Sequence, residues 1–235
     1  MGLTRVPSPP GAGPSMSDSR YSVERVGESQ QPVVIIDDFH PHPEHLRDMA
    51  SRSNFRTLGP YYPGVQAPTD PNHLRPVGDL LSEIFRDVFD APSSVSMVQC
   101  SFSRVTVPDA DLAPIQRLPH VDTTDPGRIA LLHYLCGNET GGTTFYRHRA
   151  TGHEILTDDN FDAYRSALEK EGQPKPGYMR GSDDRFEMIG QVAAKPNRAV
   201  LYRSQLLHSG MIPEGLNFAP DAADGRLTVN TFFQL

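Results

Sequence analysis

Three side chains in this sequence have the types and the spacing to hold one metal ion. His120 and Asp122 stand in Leu118-Pro119-His120-Val121-Asp122, and in an extended strand residues two apart point to the same face. An imidazole and a carboxylate would then aim at one point, with Val121 turned away into packing. His208, in Leu206-Leu207-His208-Ser209-Gly210 directly after the strand-like AVLYRS, is the natural third donor. Two histidines and one carboxylate on one face of a metal leave its other positions open, which suits iron(II) and dioxygen chemistry. The pair alone is a weak signal among nine histidines. On the plainer reading His120 is a loop histidine and Asp122 caps the turn Thr123-Thr124-Asp125-Pro126.

Such donors need elements to carry them. PVVIIDDF (32–39) is a β-branched run ended by Asp-Asp and reads as the first strand. Pro43 suits the first position of a helix running to about Ser53. Over 79–90, Leu80, Leu81, Ile84, Phe85, Val88 and Phe89 recur at helical spacing, as a core stripe does. From residue 95 the texture is that of strands: SVSMVQCSFSRVTV, RLPHVD, RIALLHYLC and GTTFYRH, the last entered through a tight Gly141-Gly142 turn. A polar, partly helical insertion at about 150–190 follows, with DDNFDAYRSALEKEG as its helix. Strands resume with AVLYRS (199–204) and end with RLTVNTFFQL (226–235). Helices first and strands afterwards predict a mainly β fold with flanking helices on one face. A curled double-sheet barrel of the jelly-roll, cupin-like kind would give such strands closed edges and an inner cavity.

The length suits one domain over 21–235. Residues 1–20, rich in Pro, Gly and Ser with few large apolar side chains, read as a disordered tail. Met16 is an alternative start to Met1. A net charge of −7 without any Lys or Arg run argues against a nucleic-acid partner. No stretch approaches the roughly 18 apolar residues of a membrane span, and the N-terminus lacks the apolar core of a secretory signal, so a cytoplasmic protein is expected. Cys100 and Cys136 read as buried thiols rather than a disulfide framework. His133 reads as a packed or hydrogen-bonded ring, and His40, His42, His45, His73, His148 and His153 as solvated.

Beyond the metal donors, the chain carries Arg128-Ile-Ala-Leu-Leu-His-Tyr-Leu-Cys, then Glu139-Thr-Gly-Gly-Thr-Thr-Phe145-Tyr, and after His208 Gly225-Arg226-Leu-Thr228-Val-Asn230. In this order the segments resemble the prolyl-hydroxylase-like branch of the iron(II)/2-oxoglutarate oxygenases, over about residues 100–235. The resemblance implies a double-stranded β-helix with His120, Asp122 and His208 as iron ligands and catalytic centre. It implies that Arg226 pairs with the distal carboxylate of 2-oxoglutarate, for which a guanidinium fork is suited, and that Thr228, two residues on, hydrogen-bonds it. Tyr134 and Tyr202 would line the cosubstrate pocket, or else be strand residues with hydroxyls at the barrel edge. Arg226 lies 18 residues after His208, farther than the family spacing; a lengthened loop absorbs the difference, with Arg128 as the reserve and Arg203 facing the other way. The implied activity is a dioxygenase, as a hydroxylase of a small molecule or of an amino-acid or protein side chain, with a small-molecule, amino-acid or peptide substrate and molecular oxygen as partners. Substrate choice would fall to the 150–190 segment, acting as a lid, and to the 55–75 loop with Tyr61, Tyr62 and Pro63 at an entrance. Two alternatives stand beside this: a zinc hydrolase of the same fold, for which no general base is evident, and a non-catalytic ligand-binding barrel.

Overall fold

Alternation at period two gives each strand two different faces, and in this chain the helices cover only one of them. The computed structural model describes residues 20–91, 94–221 and 224–235; the expected tail, Arg20 apart, lies outside the described residues. The order is β1 (Ser22–Val26), β2 (Gln31–Ile36), α1 (Pro43–Ser51), β3 (Gly64–Pro68), α2 (Gly78–Phe89), β4 (Ser96–Val105), β5 (Arg128–Tyr134), β6 (Gly142–His148), α3 (Asp158–Glu171), β7 (Phe186–Ala193), β8 (Ala199–Arg203), β9 (His208–Met211) and β10 (Leu227–Gln234). Seven strands form one sheet in the order β1-β2-β8-β5-β10-β4-β3, and three form a second in the order β7-β6-β9. All of these pairings are antiparallel.

The helices form for local reasons and stay for packing. Pro43 opens α1 at a position where its missing N–H is no loss, and Leu46 and Ala50, four apart, are its buried residues. The stripe of α2 buries Leu81, Ile84, Phe85 and Phe89, and the helix stops where Asp90 turns left-handed at φ 54°. Each such side chain contributes about 1.5–3 kcal/mol of transfer free energy. They pack on Val34, Ile36, Ile129, Leu131, Leu201 and Phe233 of the large sheet, while α1 packs on Phe102, Leu227 and Val229. The other face of that sheet carries Val33, Ala130, Tyr134, Val200 and Tyr202, which meet Phe145 and Val192 of the small sheet.

Several expectations are corrected. PVVIIDDF holds the second strand, because β1 precedes it. RLPHVD is no strand: a 3-10 turn, Pro114–Arg117, is followed by an isolated bridge between His120 and His208. The segment at 150–190 runs into β7, so strands resume at Phe186, before Ala199. The Gly141-Gly142 turn joins strands of different sheets rather than closing a hairpin. His40 and His148, expected to be solvated, are buried at 5% and 0% exposure. His148 is kept there by Thr151 on Nδ1 and Glu171 on Nε2. Cys136 is a buried thiol, but Cys100 is only partly covered. Among the described residues no helix is long and apolar enough to cross a membrane.

Candidate metal centre

His208 is the first residue of β9 and pairs with His120 through two backbone hydrogen bonds of 2.9 Å, His120 N to His208 O and the reverse. The Asp122 N–H donates to Ser204 O at 2.9 Å, so residues 120–122 run along the 204–208 turn. This pairing, rather than a regular strand, brings the three side chains together. One ligand atom from each of His120, Asp122 and His208 lies within 4.8 Å of the others. His120 Nε2 is 3.9 Å from Asp122 Oδ1, and His208 Nε2 is 3.8 Å from Asp122 Oδ2. The turn after Asp122 is capped without it, by Asp125 Oδ1 accepting from the Gly127 N–H at 2.8 Å.

Lone-pair direction decides what such a cluster can do. His208 Nδ1 lies 2.8 Å from Leu206 O, and a carbonyl only accepts, so Nδ1 carries the proton and Nε2 keeps its lone pair facing Asp122. Burial pushes His208 down to about 4. His120 is lowered to about 4 by desolvation and then by the His208 ring. With 54% of its side chain open, solvent softens the effect on His120. Both rings are neutral at pH 7, as ligands must be. Desolvation raises Asp122, against the pull of His120, the Ser204 hydroxyl and Arg128.

A second group faces the same interior. Arg226, just before β10 and 5% exposed, donates from Nη1 to Thr140 O at 3.0 Å and from Nη2 to Gly142 O at 2.8 Å. Its guanidinium carbon lies 5.2 Å from the centre of the Tyr134 ring. The carbonyl cradle depends on Gly141, at φ +93°, where a Cβ would stand 1.8 Å from Met211 O. Among the described residues no carboxylate pairs with Arg226. A buried cation left without a counter-ion is costly, so the site calls for an anionic ligand.

The remaining expected residues fall around this cation. Tyr134 is fully buried, its hydroxyl 2.6 Å from Thr143 Oγ1. Tyr202 sets its ring edge-on to His208 at 4.8 Å and to Phe145 at 5.2 Å, and its hydroxyl is raised by burial and then by Asp122. Both tyrosines are buried side chains. Thr228 lies opposite Tyr134 on β5 and Ser103 on β4, with its hydroxyl on Asn230 Oδ1 at 2.8 Å. β9 ends at Met211 and β10 begins at Leu227, so Arg226 follows a long connection between the two strands. Arg128 donates to Gln234 instead, and Arg203 points away, to Pro126 O and the Phe89 ring.

Sequence reading missed the nearest neighbours. Tyr62, read only as an entrance residue, is half-buried beside Ser103 and within the field of Arg226, which pulls against a pKa raised by desolvation. Ser103 also accepts from Gln66 Nε2 at 3.1 Å. The only available signal was the Ser101, Ser103 alternation, which matches Thr228 and Asn230 once β4 pairs with β10.

A family model described as a family of unknown function, DUF6445, matches residues 17–233. No curated protein matches the sequence. Among solved structures the chain is similar to HygX from Streptomyces hygroscopicus with nickel and 2-oxoglutarate bound, at 12% identity, 88% of this chain, 84% of that chain and a TM-score of 0.46. It is similar to an oxidoreductase of the 2OG-Fe(II) oxygenase family from Burkholderia pseudomallei, at 11% identity, 86% and 84% coverage and a TM-score of 0.46. It is also similar to EvdMO1, at 15% identity, 92% of this chain, 55% of that chain and a TM-score of 0.47. With every one of these TM-scores below 0.5, the likenesses do not bear on what this chain does.

Proposed function

This chain belongs to DUF6445, a family of unknown function, and we propose that it is an iron(II)- and 2-oxoglutarate-dependent dioxygenase, acting as a hydroxylase of a small molecule or an amino-acid side chain. The observation that carries the reading is the convergence of two neutral imidazoles and a carboxylate within 4.8 Å, on the same interior as a buried guanidinium that no carboxylate pairs with among the described residues. The donor set fits iron(II), leaving open positions on the metal. The ligand atoms stand wider than the about 3 Å that neighbouring ligands need at about 2.1 Å from a metal, so binding would draw the three side chains inward. The order of motifs supports the prolyl-hydroxylase-like branch, and the two facing sheets support a double-stranded β-helix formed as one domain over 21–235.

Iron(II) and 2-oxoglutarate, when bound, would supply oxidative decarboxylation to succinate and carbon dioxide, coupled to oxidation of a substrate C–H bond. The chain's part is binding and exclusion of water. Leu206 O keeps His208 in the ligating tautomer. Arg226, held by the Thr140 and Gly142 carbonyls, offers its remaining N–H groups to the distal carboxylate. Tyr134 and Tyr202, kept protonated by burial, supply neutral hydroxyls nearby. Phe145, Val200 and Leu206, which pack with Tyr134 and Tyr202, give these groups apolar surroundings, which strengthens each of those contacts.

Anaerobic addition of iron(II) and then 2-oxoglutarate should produce a visible charge-transfer band, absent in His208→Ala, and air should then release succinate. A band that survives His208→Ala, or turnover indifferent to 2-oxoglutarate as a zinc hydrolase would show, contradicts the proposal.

A further inference from the structure

The inner face of the large sheet changes character across its width. Over β1, β2, β8 and β5 it carries Val26, Val33, Val200 and Ala130, packed with Phe145 and Val192 of the small sheet. Over β10, β4 and β3 it is polar. Phe102 and Val229 pack with α1, so the residues that alternate with them turn inward. The register sets Thr228 and Gln66 on either side of Ser103, and Asn230 beside Ser101. None of these five side chains carries a charge.

Three polar groups of this strip are left unspent. Thr228 donates to Asn230 Oδ1 at 2.8 Å, and Gln66 Nε2 to Ser103 Oγ at 3.1 Å. Asn230 Nδ2 and Gln66 Oε1 then have no partner among the described residues. Ser101 Oγ has none either, in a residue only 4% exposed. A buried hydroxyl without a partner costs stability, and folding alone gives no reason to keep it. Space lies beside these groups. Leu132, Asn230 and Phe232 are half-buried although β5 and β10 stand in the middle of the sheet, whereas Leu131, Val229 and Phe233 on the helix side are buried. The strip adjoins both parts of the centre. Thr228 stands opposite Tyr134, whose ring carries Arg226. Phe232 lines up through Ala130 with Tyr202, the ring against His208.

We propose that this strip recognises the substrate, and that the substrate presents to it an uncharged carboxamide, with Gln66 Oε1 accepting its N–H, Asn230 Nδ2 and the Ser101 hydroxyl donating to its carbonyl, and its apolar part on Leu132 and Phe232. This rests on the dioxygenase reading for the reaction performed, but not for the binding itself. An ammonium or a carboxylate would shed its water here and meet no countercharge in the strip. An ester offers no N–H to Gln66. A hydroxyl carries donor and acceptor on one atom, whereas Gln66 and Asn230 stand on strands two apart, about 10 Å between backbones, and suit a group with its two functions on different atoms.

The test uses the full chain with iron(II) and 2-oxoglutarate under anaerobic conditions, so that Arg226 is occupied, and four probes of one shape titrated by NMR. Hydrocinnamamide should bind about tenfold or more tightly than methyl hydrocinnamate, 3-phenylpropanol or hydrocinnamate. Gln66→Leu should remove the preference over the ester. Ser101→Ala should weaken amide binding about fivefold while the Tm of the free protein stays the same or rises, because the hydroxyl has no partner there; a serine kept for folding would lower the Tm instead. Gln191→Leu, which removes an exposed carboxamide from β7 of the small sheet, should leave binding unchanged. No saturable amide binding, equal binding of the ester, the alcohol or the acid, a preference that persists in Gln66→Leu, or a lowered Tm in Ser101→Ala would overturn the proposal. The amide, ester and alcohol are titrated again without iron and 2-oxoglutarate. An amide preference without the iron–2-oxoglutarate band would keep the strip and remove the dioxygenase; the band without the preference would do the reverse.

Discussion

His120 and His208 meet on the inner side of the large sheet with ring centroids 4.5 Å apart. On the helix-covered side, His40 lies 6.1 Å from His73 and 6.3 Å from His133. Both groups are histidine clusters, but their nitrogens are spent differently. His40 Nδ1 accepts from the His42 N–H and its Nε2 donates to His73 O. His133 Nε2 donates to Asn197 Oδ1, and His73 Nδ1 to Asp70 O. These bonds fasten the approach to α1, the 3-10 turn at Pro71–Val77 and the turn before β8 to one another. His133 Nδ1 and His73 Nε2 are left unpaired, yet among the described residues only His120, Asp122 and His208 converge as a group that could hold a metal ion. A histidine ligates or fastens according to where its free lone pair points and whether a carboxylate shares that point.

The largest expected effect breaks the comparison on its ligating side. His208→Ala should weaken iron(II) binding by about a hundredfold or more, by equilibrium dialysis, whereas His133→Gln should change it less than about twofold. A large loss in His133→Gln would erase the distinction. Next, Arg226→Lys loses the planar fork while keeping the charge, so 2-oxoglutarate affinity should fall about tenfold or more with iron(II) affinity unchanged.

The fastening side is sharpened by pH. Burial lowers His133 to about 3 and also lowers His73, against about 6.5 in the unfolded chain. The unfolded state therefore takes up protons first as pH falls. Stability from the neutral His133 ring is full above about 6.5 and is lost progressively toward about 3, and His73 adds to the loss in the same direction. Urea denaturation of the metal-free protein between about pH 6 and pH 4 should show a slope shallower in His133→Gln by up to about 1.4 kcal/mol per pH unit. An unchanged slope would mean that His133 is not held neutral. The smallest effect is expected at exposed His42: His42→Ala should shift stability by less than about 0.5 kcal/mol, because His40 uses only the backbone N–H of that residue.

The sequence made the donor types of the site legible, but not the way they meet. His120 and Asp122 were expected on a strand; a single bridge to His208 does that work, and one paired residue leaves no periodicity to read. α1 and α2 were visible because their apolar spacing is helical. β1 was hidden because four of its five residues are exposed, which leaves no alternation. β7 was hidden as the small sheet's outer strand, with only Phe186 and Val192 buried. His40 and His148 looked solvated because their neighbours are polar, but one ring nitrogen of each finds a partner far along the chain, His73 O and Glu171, and satisfied rings can be buried. Tyr62 and Ser103 come beside one another, and Tyr62 near Arg226, through the pairing of β3 with β4 and β4 with β10, a long-range register that local patterns do not encode.

Crystals soaked anaerobically in iron(II) and measured at the iron edge would test the central claim most directly. The account predicts one strong anomalous peak within bonding distance of His120 Nε2, an Asp122 carboxylate oxygen and His208 Nε2. A peak instead among His40, His73 and His133, or none at the triad at saturating iron, would contradict it.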